Sequence, residues 1–395
     1  MQFFYKCSEC GREFEIKPDL MVCPACSKKQ ELNKPLRGIL EVDFELQDED
    51  NPEKFNVLDF LPVRAKFFPP IPVGNTPLWR PVNLRKILGF SNLFLKDDTL
   101  NPTGSLKDRA SYLVAAFAKE HGIKDVVIAS TGNAASSMAG VGAAQGLNIT
   151  IFVPVSAPKA KIIQSLQYGA RVIPVDGNYD RAYDLSLEYS KITGSLSRNT
   201  AYNPLTIEGK KTVSIEIFKQ LGRVPDYIFV PVGDGVILGG VYKGFRDLKR
   251  LGLADTIPVV YAIQAEGSDA ICKALENGSF EPINARTVAD SISVNIPRNG
   301  YYAIKQLKDF GGKCVKVNDG EILEAQKLLA STTGLFAEPA ASASLAGFIK
   351  VKDTLNRDSV VVLLITGNGL KDIDAAKRRL EFPQRAIRNI EEIVR

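Results

Sequence analysis

The chain is poor in histidine, with a single residue, His121, in 395. That scarcity excludes a Ser-His-Asp or Cys-His relay and a histidine-rich catalytic metal site. His121 falls where a helical pattern ends just before Gly122, a position that suits an imidazole as a structural group. An excess of one charge is also lacking. The formal net charge is +5 and no long cationic run occurs, so nucleic acid is not expected as a partner. Long apolar runs are absent. The longest, near residues 360–365, is far below bilayer length, so no membrane partner is expected. Residues 1–6 lack the apolar core of an export signal, which predicts a cytoplasmic location. An enzyme with these absences must place its chemistry on a lysine or a cofactor.

Cysteine is sparse but ordered. Cys7 and Cys10 form one Cys-x-x-Cys pair, and Cys23 and Cys26 form a second. Each pair can grip one side of a tetrahedral ion, as in a zinc ribbon, with Gly11 and Pro24 at the turns. Four thiolates leave no open coordination position, so such a Zn2+ is structural. Disulfides are the competing reading, disfavoured in a chain without an export signal. Cys272 and Cys314 stand apart and read as ordinary buried or half-buried thiols.

At 395 residues the chain exceeds one compact core, and two lobes plus a small module are expected. The acidic, proline-bearing stretch over residues 35–80 reads as a linker or arm. Beyond it, apolar runs at residues 125–128, 148–153, 171–175 and 227–232 each precede a helical pattern, and further buried strands are expected at 258–263 and 359–365. That alternation predicts an α/β architecture with parallel sheets covered by helices on both faces. The boundaries drawn are 1–34 for the ribbon, 35–98 for the arm and the start of the large lobe, 99–201 for the small lobe and 202–395 for the rest of the large lobe.

The run Asn101-Pro102-Thr103-Gly104-Ser105-Leu106-Lys107-Asp108-Arg109 follows a short apolar strand and opens an Ala-rich helix. Ser105 and Asp108 have capping-box spacing, which puts Lys107 in the first helical turn. The helix dipole and Arg109 both disfavour a charge on its amine, and a lysine that loses its proton easily can form a Schiff base with an aldehyde. The plainer reading is a solvated first-turn lysine. Three strand-to-helix junctions are rich in small polar residues. Ser130-Thr131-Gly132-Asn133 suits a carboxylate, or is a plain capping turn. Gly233-Asp234-Gly235-Val236-Ile237 suits a phosphate, although its glycines miss the dinucleotide spacing. At the third junction, Thr366 offers a hydroxyl to a neutral ring nitrogen.

A Schiff-base lysine, a carboxylate loop, a phosphate cradle and a ring-nitrogen partner together describe a site for pyridoxal phosphate. The chain here resembles the threonine synthases, within the fold-type-II pyridoxal-phosphate enzymes (tryptophan synthase β-like). The landmarks are Gly74-Asn75-Thr76-Pro77-Leu78, the Lys107 run, Ser130 to Asn133, Asn203-Pro204 with Glu208 to Thr212, Glu338-Pro339-Ala340 and Thr366 to Asp372. The resemblance implies a homodimeric lyase that converts O-phospho-L-homoserine and water to L-threonine and phosphate. It implies that Lys107 holds the cofactor and shuttles protons, that Asn133 meets the cofactor's ring oxygen, that Gly233 to Ile237 hold its phosphate and that Thr366 meets its ring nitrogen. Ser130, Thr131 and Asn133 would hold the substrate carboxylate. The chain departs from the family pattern at Ala134, Thr200, Ala201, Thr206 and Asp234, where the family usually has Thr, Asn, Ser, Arg and Asn. Lys159, Lys161, Lys210 and Arg298 are candidate substitutes for the missing phosphate ligands. The alternatives are a related β- or γ-elimination or replacement enzyme (serine/threonine dehydratase-like or cysteate-synthase-like), and a non-catalytic scaffold around the ribbon.

Overall fold

The computed structural model describes residues 1–157, 159–281 and 283–378, with 380, 386–389 and 392; the side chains of 159–161 lie outside the described part. The strands are β1 (Gln2–Cys7), β2 (Glu13–Phe14), β3 (Leu40–Glu45), β4 (Leu78–Trp79), β5 (Leu93–Asp97), β6 (Asp125–Ala129), β7 (Asn148–Pro154), β8 (Arg171–Val175), β9 (Leu196–Ser197), β10 (Tyr227–Pro231), β11 (Val259–Ala265), β12 (Lys313–Val317) and β13 (Val361–Ile365). The helices are α1 (Val82–Leu88), α2 (Lys107–Glu120), α3 (Asn133–Gln145), α4 (Lys159–Gln167), α5 (Tyr179–Thr193), α6 (Leu205–Lys210), α7 (Thr212–Leu221), α8 (Val236–Arg250), α9 (Ala270–Asn277), α10 (Gly300–Asp309), α11 (Asp319–Thr333), α12 (Pro339–Val351) and α13 (Ile373–Lys377).

They form three sheets. A six-stranded sheet runs β12-β11-β10-β13-β5-β4, parallel except for the antiparallel edge pair β4–β5. A four-stranded parallel sheet runs β8-β7-β6-β9. The antiparallel sheet β2-β1-β3 carries the N-terminal cysteines. Central strands such as β13, Val-Val-Leu-Leu-Ile, are buried along their whole length because helices cover both faces. One face of the large sheet packs Leu345 and Phe348 of α12, and the other packs Val241 and Phe245 of α8. The smaller sheet is covered by α3, whose composition, Asn-Ala-Ala-Ser-Ser-Met-Ala-Gly-Val-Gly-Ala-Ala-Gln, lets it sit unusually close. A Cβ at Gly142 would stand 2.6 Å from Ile149, and one at Gly140 would meet Thr103 and Tyr168.

The N-terminal sheet reaches further than expected. β3, inside the stretch read as linker, pairs with β1 over its full length. Alternating burial in β3, with Leu40, Val42 and Phe44 inside, gives the sheet an apolar face.

Two local expectations fail. Ser105 does not cap α2, which has no side-chain cap. Asp108 turns back instead to accept from Thr103 N at 2.7 Å and Thr103 Oγ1 at 2.5 Å, and Ser105 Oγ is buried without a partner among the described residues. The segment is extended through Ser105, which bridges Gly367, so the backbone is not free to form the box. The second failure is the reading of Cys272 and Cys314 as separate thiols. They are joined in a disulfide, because α9 packs against β12 and brings their Cα atoms to 5.5 Å. His121 behaves as read: its Nδ1 lies 3.0 Å from Phe117 O at the end of α2.

Candidate active site

The loops after β5 and β13 meet beyond the carboxyl ends of their strands. Leu106 N donates to Thr366 O at 2.9 Å, Asn368 N to Gly104 O at 2.9 Å, and Glu338 N to Gly367 O at 2.9 Å. These bonds hold Lys107, Thr366 and Glu338 around one point. Two cavities and a narrow slot open on Lys107. One, of about 50 Å3, lies between Lys107, Val232 to Ile237 and Ile292. The other, of about 300 Å3, is lined by Lys107, Ser130 to Ala134, Tyr179, Thr200, Asp234 and Arg298. Thr366, Asn133 and Glu338 line a narrow slot beside the first.

Burial lowers the pKa of Lys107, and it outweighs the attraction of Asp234 and Glu338. Arg109, expected to act on Lys107, is turned away. It donates to Asp98 Oδ2 at 2.6 Å and to Glu216 Oε1 at 2.6 Å, inside a buried network. Desolvation, helped by the guanidinium of Arg198 and not by that of Arg109, favours the neutral amine.

Asn133 begins α3 and donates from Nδ2 to Glu338 Oε2 at 2.9 Å. Ser291 Oγ reaches the same carboxylate oxygen at 3.1 Å. Burial raises the pKa of Glu338, and these two donors oppose the shift. Ser130 Oγ accepts from Gly132 N at 3.2 Å, which shapes the loop before α3. Glu338, Ser291 and Tyr179 had no assigned role in the sequence; their loops and α5 reach the site only through tertiary packing.

The loop from Gly233 to Ile237 turns into the start of α8. Gly235 has φ +89°, and a Cβ there would stand 2.9 Å from Ala303. A Cβ at Gly233 would stand 2.9 Å from Ile292 Cα. Both positions therefore require glycine. Asp234 Oδ1 accepts from Val236 N at 3.0 Å, and its carbonyl accepts from Asn299 N at 3.0 Å. This cradle at the N-terminus of a long helix, beside a cavity that opens on an amine, fits a phosphate joined to an aldehyde.

The departures from the family pattern lie along the larger cavity or behind it. Ala134 and Thr200 line it. Ala201 adopts φ +68° and its N–H donates to Thr206 Oγ1 at 3.3 Å, while that hydroxyl donates to Asn203 O. Thr206 is thus used by its own turn. Of the candidate substitutes, Arg298 lines the cavity and pairs with Asp180. Lys210 is buried on α6, its Nζ 3.1 Å from Thr206 O. The side chains of Lys159 and Lys161 lie outside the described residues. Arg198, which sequence reasoning passed over, is fully buried and donates to Thr200 Oγ1 at 2.8 Å. Its signal was an arginine directly after the short buried strand β9, Leu196-Ser197.

Away from this centre, Cys7, Cys10, Cys23 and Cys26 bring all four Sγ atoms within 4.8 Å of one another. The Cys7–Cys26 and Cys10–Cys23 separations are both 3.8 Å. Gly11 turns the first pair at φ +71°, and Cys23 N donates to Gly38 O at 2.8 Å. No helix among the described residues is long and apolar enough to cross a membrane.

Comparison with known proteins matches residues 71–367 to the pyridoxal-phosphate dependent enzymes. Threonine synthase of Methanocaldococcus jannaschii is 35% identical over 397 residues, covering 96% of this chain and 95% of that protein. Threonine synthase of Methanosarcina acetivorans is also 35% identical, covering 99% and 98%. Among solved structures, a processed threonine deaminase isoform from Solanum lycopersicum superposes with a TM-score of 0.69 at 22% identity, covering 84% of this chain and 94% of that one. Maize serine racemase gives 0.67 at 23%, covering 75% and 88%. The structural likenesses establish the fold-type-II architecture, and the sequence relatives narrow it: the chain belongs to the threonine synthase family of pyridoxal-phosphate dependent enzymes.

Proposed function

We propose that this enzyme converts O-phospho-L-homoserine and water to L-threonine and phosphate. The observation that carries the reading is a buried lysine, its pKa lowered by desolvation, set between a glycine phosphate cradle and a polar loop at a helix start. Bound pyridoxal phosphate supplies the electron sink that stabilises negative charge at the substrate's Cα. Lys107 would hold its aldehyde, Gly233, Asp234, Gly235, Val236 and Ile237 its phosphate, Asn133 its ring oxygen and Thr366 its ring nitrogen. Ser130, Thr131 and Asn133 would seat the substrate carboxylate. Lys107, whose neutral form burial favours, is then the group that takes protons from Cα and Cβ and returns them, so the single histidine is not required.

The four thiolates would hold a structural Zn2+. A tetrahedral ion with sulfur at about 2.3 Å sets its ligands about 3.8 Å apart, which matches the two closest pairs. The reading includes a cytoplasmic homodimer whose lobes, built on the two parallel sheets, close over the substrate to exclude water. The test is a substrate panel on the holoenzyme. Stoichiometric phosphate and L-threonine from phosphohomoserine support the reading. A 2-oxo acid from serine or threonine, with no phosphate release from phosphohomoserine, overturns it in favour of a dehydratase.

A further inference from the structure

We infer that Arg198 and Lys210 are the residues that select a substrate with an anionic side-chain group, and that they bind this anion beside Lys107. The inference rests on the proposed reaction and names the residues behind its substrate preference.

Three features carry it. Arg198 is a fully buried guanidinium whose Nη2 has no hydrogen-bond partner among the described residues. Its other nitrogens hold only neutral hydroxyls: Nη1 donates to Thr200 Oγ1 at 2.8 Å and Nε to Ser111 Oγ at 3.3 Å. A buried cation with a spare donor and no carboxylate bonded to it is costly unless a ligand completes its shell. Lys210 is in the same condition. It is fully buried, and its one acceptor is the Thr206 carbonyl at 3.1 Å. Finally, each feels the charge of Asp234, Asp108 also acts on Arg198, and Lys107 and Arg198 both act on Lys210. Neither side chain forms an ion pair among the described residues, and Thr200, whose hydroxyl Arg198 holds, lines the cavity of about 300 Å3 that opens on Lys107.

The cofactor's phosphate does not need these two side chains: the glycine loop and the start of α8 already supply backbone donors there, while Arg198 is tied to Thr200, which lines the larger cavity. Arginine offers a planar fork suited to a phosphate, and lysine a point charge suited to a second oxygen. Both stay desolvated, so each bond to the anion counts strongly.

The experiment uses the holoenzyme and two ligands matched in length, 2-amino-5-phosphonopentanoate and L-norvaline, titrated by the absorbance change of the bound cofactor. Arg198→Met and Lys210→Met are each expected to weaken the phosphonate by about 10- to 100-fold, the loss typical of a charge-assisted bond, with norvaline binding and cofactor affinity unchanged. Arg198→Lys, which keeps the charge and disturbs packing least, is expected to recover part of the difference. Equal weakening of both ligands, loss of cofactor affinity alone, or no change in the phosphonate-to-norvaline ratio overturns the inference. Wild-type enzyme that favours the phosphonate yet does not turn over phosphohomoserine would refute the proposed reaction and leave the anion seat standing. Turnover with an unaltered ratio in the variants would do the reverse.

Discussion

At the scale of single residues, burial decides which charges are used and which are only endured. Lys107 is a buried amine whose pKa burial lowers against the attraction of Asp234 and Glu338. Lys107→Ala is expected to cut turnover by more than about 10³-fold, the upper range of acid–base and nucleophilic contributions, with an unchanged circular dichroism spectrum and no borohydride-trapped adduct on peptide mapping. Glu216 shows the opposite balance. Burial raises its pKa, but Arg109 and Lys96 outweigh that and hold it at about 2. Lys96 itself is lowered, because burial wins there over the attraction of Glu216. A carboxylate with a depressed folded pKa adds stability above its unfolded value of about 4.3 and loses it as pH falls toward the folded value. Glu216→Gln is therefore expected to cost about 3–5 kcal/mol at neutral pH, since it leaves buried cations uncompensated. In denaturant titrations the gap to wild type should narrow steadily from about pH 5 to about pH 2.

At the scale of elements, the site is made by junctions. The strand-to-helix runs around residues 125–145, 148–167, 171–193 and 227–250 were readable because buried parallel strands are continuous apolar segments and their helices follow directly. The start of α2 was not readable in detail. Capping-box spacing at Ser105 and Asp108 lost to a bridge between Ser105 and Gly367, a partner distant in sequence. The loop before α8 combines both kinds of information. Its glycines mark a tight turn, but only Ala303 and Ile292 show why a side chain cannot enter. Gly235→Ala is expected to destabilise the protein by about 1–2 kcal/mol from the left-handed backbone alone and to raise the dissociation constant for pyridoxal phosphate at least tenfold, read by fluorescence titration of cofactor-free enzyme. In the N-terminal sheet, Cys23→Ser is expected to lower bound zinc, measured by metal analysis of the purified protein, with little change in kcat. Full retention of metal would count against a four-thiolate site.

At the scale of the whole molecule, two cysteine chemistries coexist. Four thiols gather at the N-terminal sheet, and a disulfide joins α9 to the edge strand β12. The bridge closes a loop spanning 42 residues. In the chain-entropy account that is worth about 4 kcal/mol. Reduction, or Cys272→Ala with Cys314→Ala, is expected to lower Tm by several degrees in calorimetry while cofactor binding persists, because α9 and β12 lie outside the cavities around Lys107.

The sequence by itself determined the alternation of strands and helices, the lysine that opens α2, the glycine loop before α8 and the paired thiols. Each of these is local, a matter of period, turn chemistry or spacing. Only the tertiary structure decided that Cys272 meets Cys314, that Arg109 faces Asp98 and Glu216 instead of Lys107, and that Arg198 reaches Thr200 beside the cavity that opens on Lys107. The physical reason is the same in each case. Whether a charge is paired, or a thiol bonded, depends on neighbours brought close by packing from distant parts of the chain, and no local pattern encodes those distances.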